Sequence, residues 1–154
     1  EQKDMEAITE RTAAILGVGV EQTAVTLIAS RARFTPRIAN RIFKRVRDFA
    51  TIEEAEVITE ALAEKALAFL EIDKLGLEPA DRKLLATLMK NFAGGPAGIQ
   101  ALAAAISEEQ DTILDMYEPY LLQLGFLERT PRGRVATPLA YKHLRFPKNQ
   151  KELL

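Results

Sequence analysis

The chain has 154 residues, 47% hydrophobic and 28% charged, with a formal net charge of −1. That length holds one medium domain or two small ones with a real core, and the composition is ordinary for a globular protein. Cysteine is absent, which excludes disulfides and thiolate metal sites; no run approaches the ~18 apolar residues of a membrane span and no signal segment opens the chain, so a cytoplasmic, membrane-free protein is expected.

The near-zero charge conceals an uneven distribution. Arg31 to Arg47 holds seven basic residues and no acid, and Arg129 to Lys151 holds seven more, again without an acid. Between them, Asp48 to Asp81 carries ten acids against two lysines. Two basic patches suggest anionic partners, a solvated helix face being the plain alternative.

The first half of the chain reads as helices. Ile8, Arg11/Thr12 and Ile15 share a face, and Gly17 is expected to end that helix in the left-handed conformation. A second helix spans about residues 21–32, with Ala24, Val25, Ile28, Ala29 and Ala32 on one side. The third begins with Thr35 as N-cap and Pro36 in the first helical position. Its apolar face is Ile38, Ile42, Val46 and Phe49, and Arg37, Arg41 and Lys44/Arg45 form a cationic stripe. A fourth starts at Thr59 and is expected to bury Leu62, Ala66, Phe69 and Leu70. Gly76 and Pro79 then interrupt the pattern and mark a domain boundary.

After the boundary, Leu84, Leu85, Leu88, Met89 and Phe92 define a helix from Pro79. Gly94-Gly95-Pro96 turns into a short helix carrying Ile99, Leu102, Ala103 and Ile106. A third helix, about residues 109–124, points Ile113, Tyr117, Tyr120, Leu121 and Leu124 inward, with a local bend expected at Pro119. Residues 126–130 and 134–137 read as strands joined by a turn from Thr130 to Gly133, with Pro131 at its second position. Thr137-Pro138 opens a last short helix. Three helices and a hairpin make a winged helix, so the fold class is mainly α: a small helical bundle over 1–73, a winged helix over 78–146 and a frayed tail over 147–154.

Catalytic machinery is sparse. His143 is the sole histidine, so no His-based metal cluster or Cys/His nucleophile can be assembled, and a structural or surface role is expected for it. Gly94 to Gly98 lacks the Lys-Ser/Thr ending of a phosphate loop and sits between helices. It reads as an inter-helix turn. No catalytic or metal-ligating residue is therefore assigned. The third helix of the winged domain carries Glu108, Glu109, Asp111, Asp115 and Glu118, which would repel phosphates. Arg129, Arg132 and Arg134 surround the wing turn and are the candidate DNA contacts, to the backbone and with little sequence preference. Three neutralised phosphates would give a salt slope of about −2.7.

The segments TPRIANRIFKRVRDFA (35–50), GLEPADRKLL (76–85), EPYL (118–121) and GFLERTPRGRVATPLAYKHL (125–144) occur in an order that resembles bacterial RuvB motors over nearly the whole chain. The resemblance implies the helical lid of an AAA+ ATPase module followed by a winged helix. It also implies ATP-driven migration of Holliday junctions by a homo-hexamer working with the junction-binding RuvA. ATP with Mg would be held mostly by a nucleotide-binding domain that has no counterpart in this chain, and through which the motor docks on RuvA. The chain is thus expected to be part of a longer protein and to hydrolyse no ATP alone. On the resemblance, Arg37 falls on the arginine that reaches from the lid toward the terminal phosphate, and Arg132 and Arg134 fall on the DNA-contacting wing. Where the family usually has glycine this sequence has Phe34, which leaves open how the Arg37 helix begins. Two other classes compete: a sequence-specific transcriptional regulator, and a protein-interaction module whose basic patches meet no nucleic acid.

Overall fold

The computed structural model of the chain describes residues 1–146, which fall into two units, one spanning Glu1–Glu78 and one beginning at Pro79. The tail expected to fray over 147–154 lies outside the described residues.

The first unit runs α1 (Gln2–Leu16), β1 (Gly19–Val20), α2 (Gln22–Ser30), α3 (Pro36–Ile52), β2 (Val57–Ile58) and α4 (Glu60–Phe69). Gly17 ends α1 at φ 66°, as its sequence implies. Much of the core is alanine: Ala24, Ala63 and Ala66 are buried with Phe43, Ile28, Ile42 and Leu67, and Ala29, Ala32 and Ala39 with Met5, which lets helices approach closely.

Three details of burial and strand pairing differ from the sequence reading. The core face of α1 is Met5, Thr9 and Ala13, while Ile15 is exposed. Burying Thr9 costs little because its hydroxyl donates to the Met5 carbonyl at 2.8 Å. On α4 the buried residues are Ala63, Ala66 and Leu67, and Phe69 is 73% exposed. Its ring instead lies 5.4 Å from that of Phe49. Finally, the unit is not all helical, since β1 pairs in parallel with β2 through Gly19–Val57 and Val20–Ile58. Two residues are too short to show a period of two, and the pair exists only because the connections after α1 and α3 meet.

The loop after α4 closes onto the same unit. The Asp73 carboxylate accepts from the backbone N–H groups of Leu75 and Leu77, both at 2.9 Å. Arg31 Nη1 donates to the carbonyls of Asp73 at 2.7 Å and Ile72 at 3.3 Å. Burial pushes the Arg31 guanidinium below its ordinary value, with Asp73 and then Glu64 pulling it back up. Gly76, at φ 80°, passes so close to the Arg31 carbonyl that a Cβ would lie 2.5 Å from its oxygen.

The second unit runs α5 (Pro79–Asn91), α6 (Ile99–Ile106), then one continuous run of α7 (Gln110–Thr112), a π-helical turn (Ile113–Tyr117) and α8 (Glu118–Gln123). The hairpin β3 (Leu127–Thr130) and β4 (Gly133–Ala136) and the short α9 (Pro138–Leu144) complete it. Leu84, Leu85, Leu88, Leu102, Ile113 and Leu121 are fully buried. The chain is a mainly α protein, a small helical bundle followed by a winged helix.

The distortion expected at Pro119 takes the form of the π turn. Proline has no N–H to donate and its ring crowds the carbonyl four residues back, so a wider turn relieves both. The Glu118 N–H accordingly bonds the Ile113 carbonyl, a five-residue step.

Candidate nucleic-acid interface

The wing is built from both edges. Strand β3 pairs antiparallel with β4 in the register Leu127–Ala136, Glu128–Val135, Arg129–Arg134 and Thr130–Gly133. The Thr130 hydroxyl donates to the Gly133 carbonyl at 2.7 Å across the turn. The other edge of β4 pairs with the loop before α6. Ala97 N–H donates to the Arg134 carbonyl at 3.0 Å, and Arg134 N–H donates to the Ala97 carbonyl at 2.7 Å. Ala136 N–H donates to the Gly94 carbonyl at 2.9 Å. The glycine-rich segment is thus an inter-helix turn, as expected, and also the backbone dock of the wing.

Alternation along the strands decides what the arginines do. Leu127 and Ala136 are buried, and Arg129 and Arg134, two residues further along each strand, share their face. There they meet Glu118, whose side chain is fully buried. Arg134 forks onto it, with Nε donating to Oε2 at 2.9 Å and Nη2 to Oε1 at 3.2 Å. Arg129 donates to Oε1 through Nε, with Nη2 also paired to that oxygen. The Arg134 side chain is 17% exposed and that of Arg129 55%. Arg132, in the turn, is exposed.

The three wing arginines therefore stand in different situations. Arg132 is presented to solvent, Arg129 is half-presented, and Arg134 is turned inward onto a carboxylate. By its place in the sequence Glu118 belongs with the surface carboxylates of the third helix. Five residues beyond Ile113 a regular helix has turned about 140° away from that residue's face, and the π turn brings Glu118 back inward. The other acids keep their surface positions: Glu109, Asp111 and Asp115 are exposed, and a hollow of about 500 Å³ beside α6 is lined by Glu108, Glu109 and Asp111.

His143 is half-buried, its ring 5.2 Å from that of Phe126.

In the first unit much of the basic run is engaged internally. Arg41 Nη2 meets Glu78 Oε1 at 2.6 Å, with Arg45 Nη1 3.9 Å from the same oxygen, and Arg47 pairs with Asp48 at 3.0 Å. Arg37 and Lys44 stay exposed. Arg37 stands in the first turn of α3, at the positive end of a helix of 17 residues. Thr35 does not cap that turn through its side chain, because its hydroxyl donates to the Arg33 carbonyl at 3.1 Å.

Phe34 resolves how this helix begins. Arg33 and Phe34 take φ values of 58° and 52°, the left-handed region that glycine favours. The backbone keeps a glycine-type geometry with a phenylalanine in it, and the ring is 57% exposed. Phe34→Gly is therefore expected to stabilise the first unit by about 1 kcal/mol, relief of left-handed strain exceeding the extra freedom of the unfolded chain. Thermal denaturation of the variant and the parent chain checks this.

Known proteins match this architecture. Residues 1–73 match the family model described as the RuvB AAA lid domain, and residues 74–145 the RuvB C-terminal winged helix domain. The Holliday junction branch migration complex subunit RuvB of Dehalococcoides mccartyi (strain CBDB1) is 57% identical over 140 residues, covering 91% of this chain and 40% of that protein. The corresponding subunit of Pseudothermotoga lettingae is 54% identical over 145 residues, 94% of this chain and 42% of its own length. The structure of the Thermotoga maritima RuvB Holliday junction branch migration motor superposes with a TM-score of 0.89 at 47% identity, over 96% of this chain and 49% of that one. The chain thus spans less than half the length of these relatives. Matched from residue 1 to residue 145 by a lid and a winged helix in that order, it belongs to the RuvB family.

Proposed function

We propose that the chain is the lid and winged-helix part of an ATP-driven motor that moves Holliday junctions. Its wing rests on the DNA backbone without reading sequence, and its lid brings Arg37 to the terminal phosphate of ATP. Its relatives carry the name of a branch migration complex subunit, and we extend that activity to this protein. In this reading the whole motor works as a hexameric ring. Its nucleotide-binding domain holds most of the ATP and Mg and docks on the RuvA-type partner. Bound Mg would neutralise charge on the phosphates during transfer. From this chain only the Arg37 guanidinium reaches toward them, and an exposed arginine at a helix start is chemically suited to that contact. The chain contains no phosphate-loop motif, and alone it is expected to turn over no ATP.

The observation that carries the DNA reading is the opposition between the two surfaces of the winged helix. Arg132 and the outer edge of Arg129 face solvent on the wing, whereas the third helix presents Glu109, Asp111 and Asp115. A helix with that charge is a poor major-groove reader, since phosphate contact dominates affinity. A salt titration of binding to duplex and four-way-junction DNA tests this. Arg132→Ala is expected to flatten the log–log slope by about 0.9, one phosphate, equally on unrelated sequences. Asp111→Asn with Asp115→Asn is expected not to weaken binding. An Arg132→Ala slope equal to the parent's, or loss of a sequence preference in the helix variant, overturns the wing reading and favours a major-groove regulator.

A further inference from the structure

We propose that Glu118 is a built-in counter-charge that sets how many phosphates the wing neutralises, withdrawing one of its three arginine charges and leaving a footprint of about two. This rests on the wing reading above.

The geometry of the hairpin requires such a group. Arg129 and Arg134 are directly opposed across the strands, an arrangement that is unfavourable for like charges. Glu118 lies fully buried beneath both and bonds each of them. The cluster of two guanidiniums and one carboxylate therefore carries a single net positive charge. The bonds also divide the pair. Arg134 is forked and largely covered, so its charge is spent on the carboxylate. Arg129 uses Nε and Nη2 on one oxygen, and among the described residues its Nη1 meets no protein acceptor. Its exposed edge can take a phosphate while the other edge stays fixed. With Arg132 at the tip, two charges face outward. Weak contact of this kind, multiplied over several wings on one DNA, suits a device that must let go at each step.

Counting charge makes the proposal measurable. Anisotropy of a labelled duplex is followed through a salt titration for the parent chain, Glu118→Gln, Arg134→Gln and the double variant, with circular dichroism and melting to establish folding. At about −0.9 per phosphate the parent is expected near −1.8, a loss of about 12-fold between ~50 and ~200 mM salt. Glu118→Gln is expected near −2.7, about 40-fold, and Arg134→Gln near −0.9, about 3.5-fold. The double variant, which removes one charge of each sign, is expected back at the parent slope. Differences carry the test, so charges common to all four chains, Glu128 among them, cancel.

A purely structural Glu118 shifts melting temperatures and leaves the slopes alone, which would overturn the proposal. A double variant as flat as Arg134→Gln would make Arg134 itself a phosphate contact and would also overturn it. If Glu118→Gln does not fold, Arg134→Gln against the double variant, in which two amides replace the forked pair, still decides. The wing reading fails separately, on Arg132→Ala. Should that variant flatten the slope while the four-chain comparison shows no shifts, only the role of Glu118 falls.

Discussion

Replacing Arg37 with alanine in a motor that carries both this chain and a nucleotide-binding domain is expected to slow ATP turnover about 100-fold, the usual effect of removing one donor aimed at developing charge. The residue stands exposed in the first turn of α3 and contributes nothing to the core, so circular dichroism and melting should be unchanged. Nucleotide affinity should change little, because a phosphate cradle elsewhere would make most ground-state contacts. The loss then falls on turnover rather than on binding. Arg37→Lys should recover only part of the rate, a point charge replacing a planar fork. Steady-state turnover and nucleotide titration of the three proteins check this, and an indifferent Arg37→Ala would reduce Arg37 to an ordinary surface arginine.

The second large effect concerns the wing's backbone. Gly133 sits at φ 133°, and a Cβ there would lie 2.5 Å from both the carbonyl carbon and the carbonyl oxygen of Ala97. Those atoms belong to the loop that pairs with β4, so neither can move without breaking the Ala97–Arg134 hydrogen bonds. Gly133→Ala combines an unfavourable backbone conformation with a backbone clash and is expected to cost about 3 kcal/mol of winged-helix stability. Chemical denaturation measures it, with Arg132→Ala as the neighbouring control that should melt like the parent. A Gly133→Ala chain as stable as the parent would mean that the hairpin does not dock on the Ala97 loop. DNA binding should weaken with the docking, since a wing that leaves its loop no longer holds Arg129 and Arg132 in register.

Much of the fold was legible because its signals act over a few residues. Gly17 ends α1, and Thr59 and Thr137 cap their helices by accepting from the N–H groups three residues on, at 3.1 and 3.4 Å. Thr35 carries the same signal and starts its helix without a side-chain cap. Its backbone, at φ −119° and ψ 117°, departs from the −85° and 164° of Thr59, and its hydroxyl turns back to Arg33. Faces were less legible than helices. Ile15 and Phe69 are large and apolar and lie outside, while Thr9 and a series of alanines lie inside, because close helix contact selects small residues over large ones.

The same division runs through the candidate site. Sequence by itself determined the winged helix, the tight basic turn, the acidic third helix and an arginine at the start of α3, each being a matter of residue type and local spacing. It also placed three arginines around the wing and one glutamate before Pro119, but not their relation. That relation depends on a five-residue hydrogen-bond step in the third helix, which swings Glu118 inward. It depends as well on a strand register that sets Arg129 opposite Arg134 on the core side. Pro119 announces a distortion but not its form, and the turn joins the strands without showing that their arginines fall on the face that meets Glu118. Charge sign is written in the sequence, but charge pairing is decided only where separate elements pack, because a carboxylate can be buried only once two guanidiniums are brought to it.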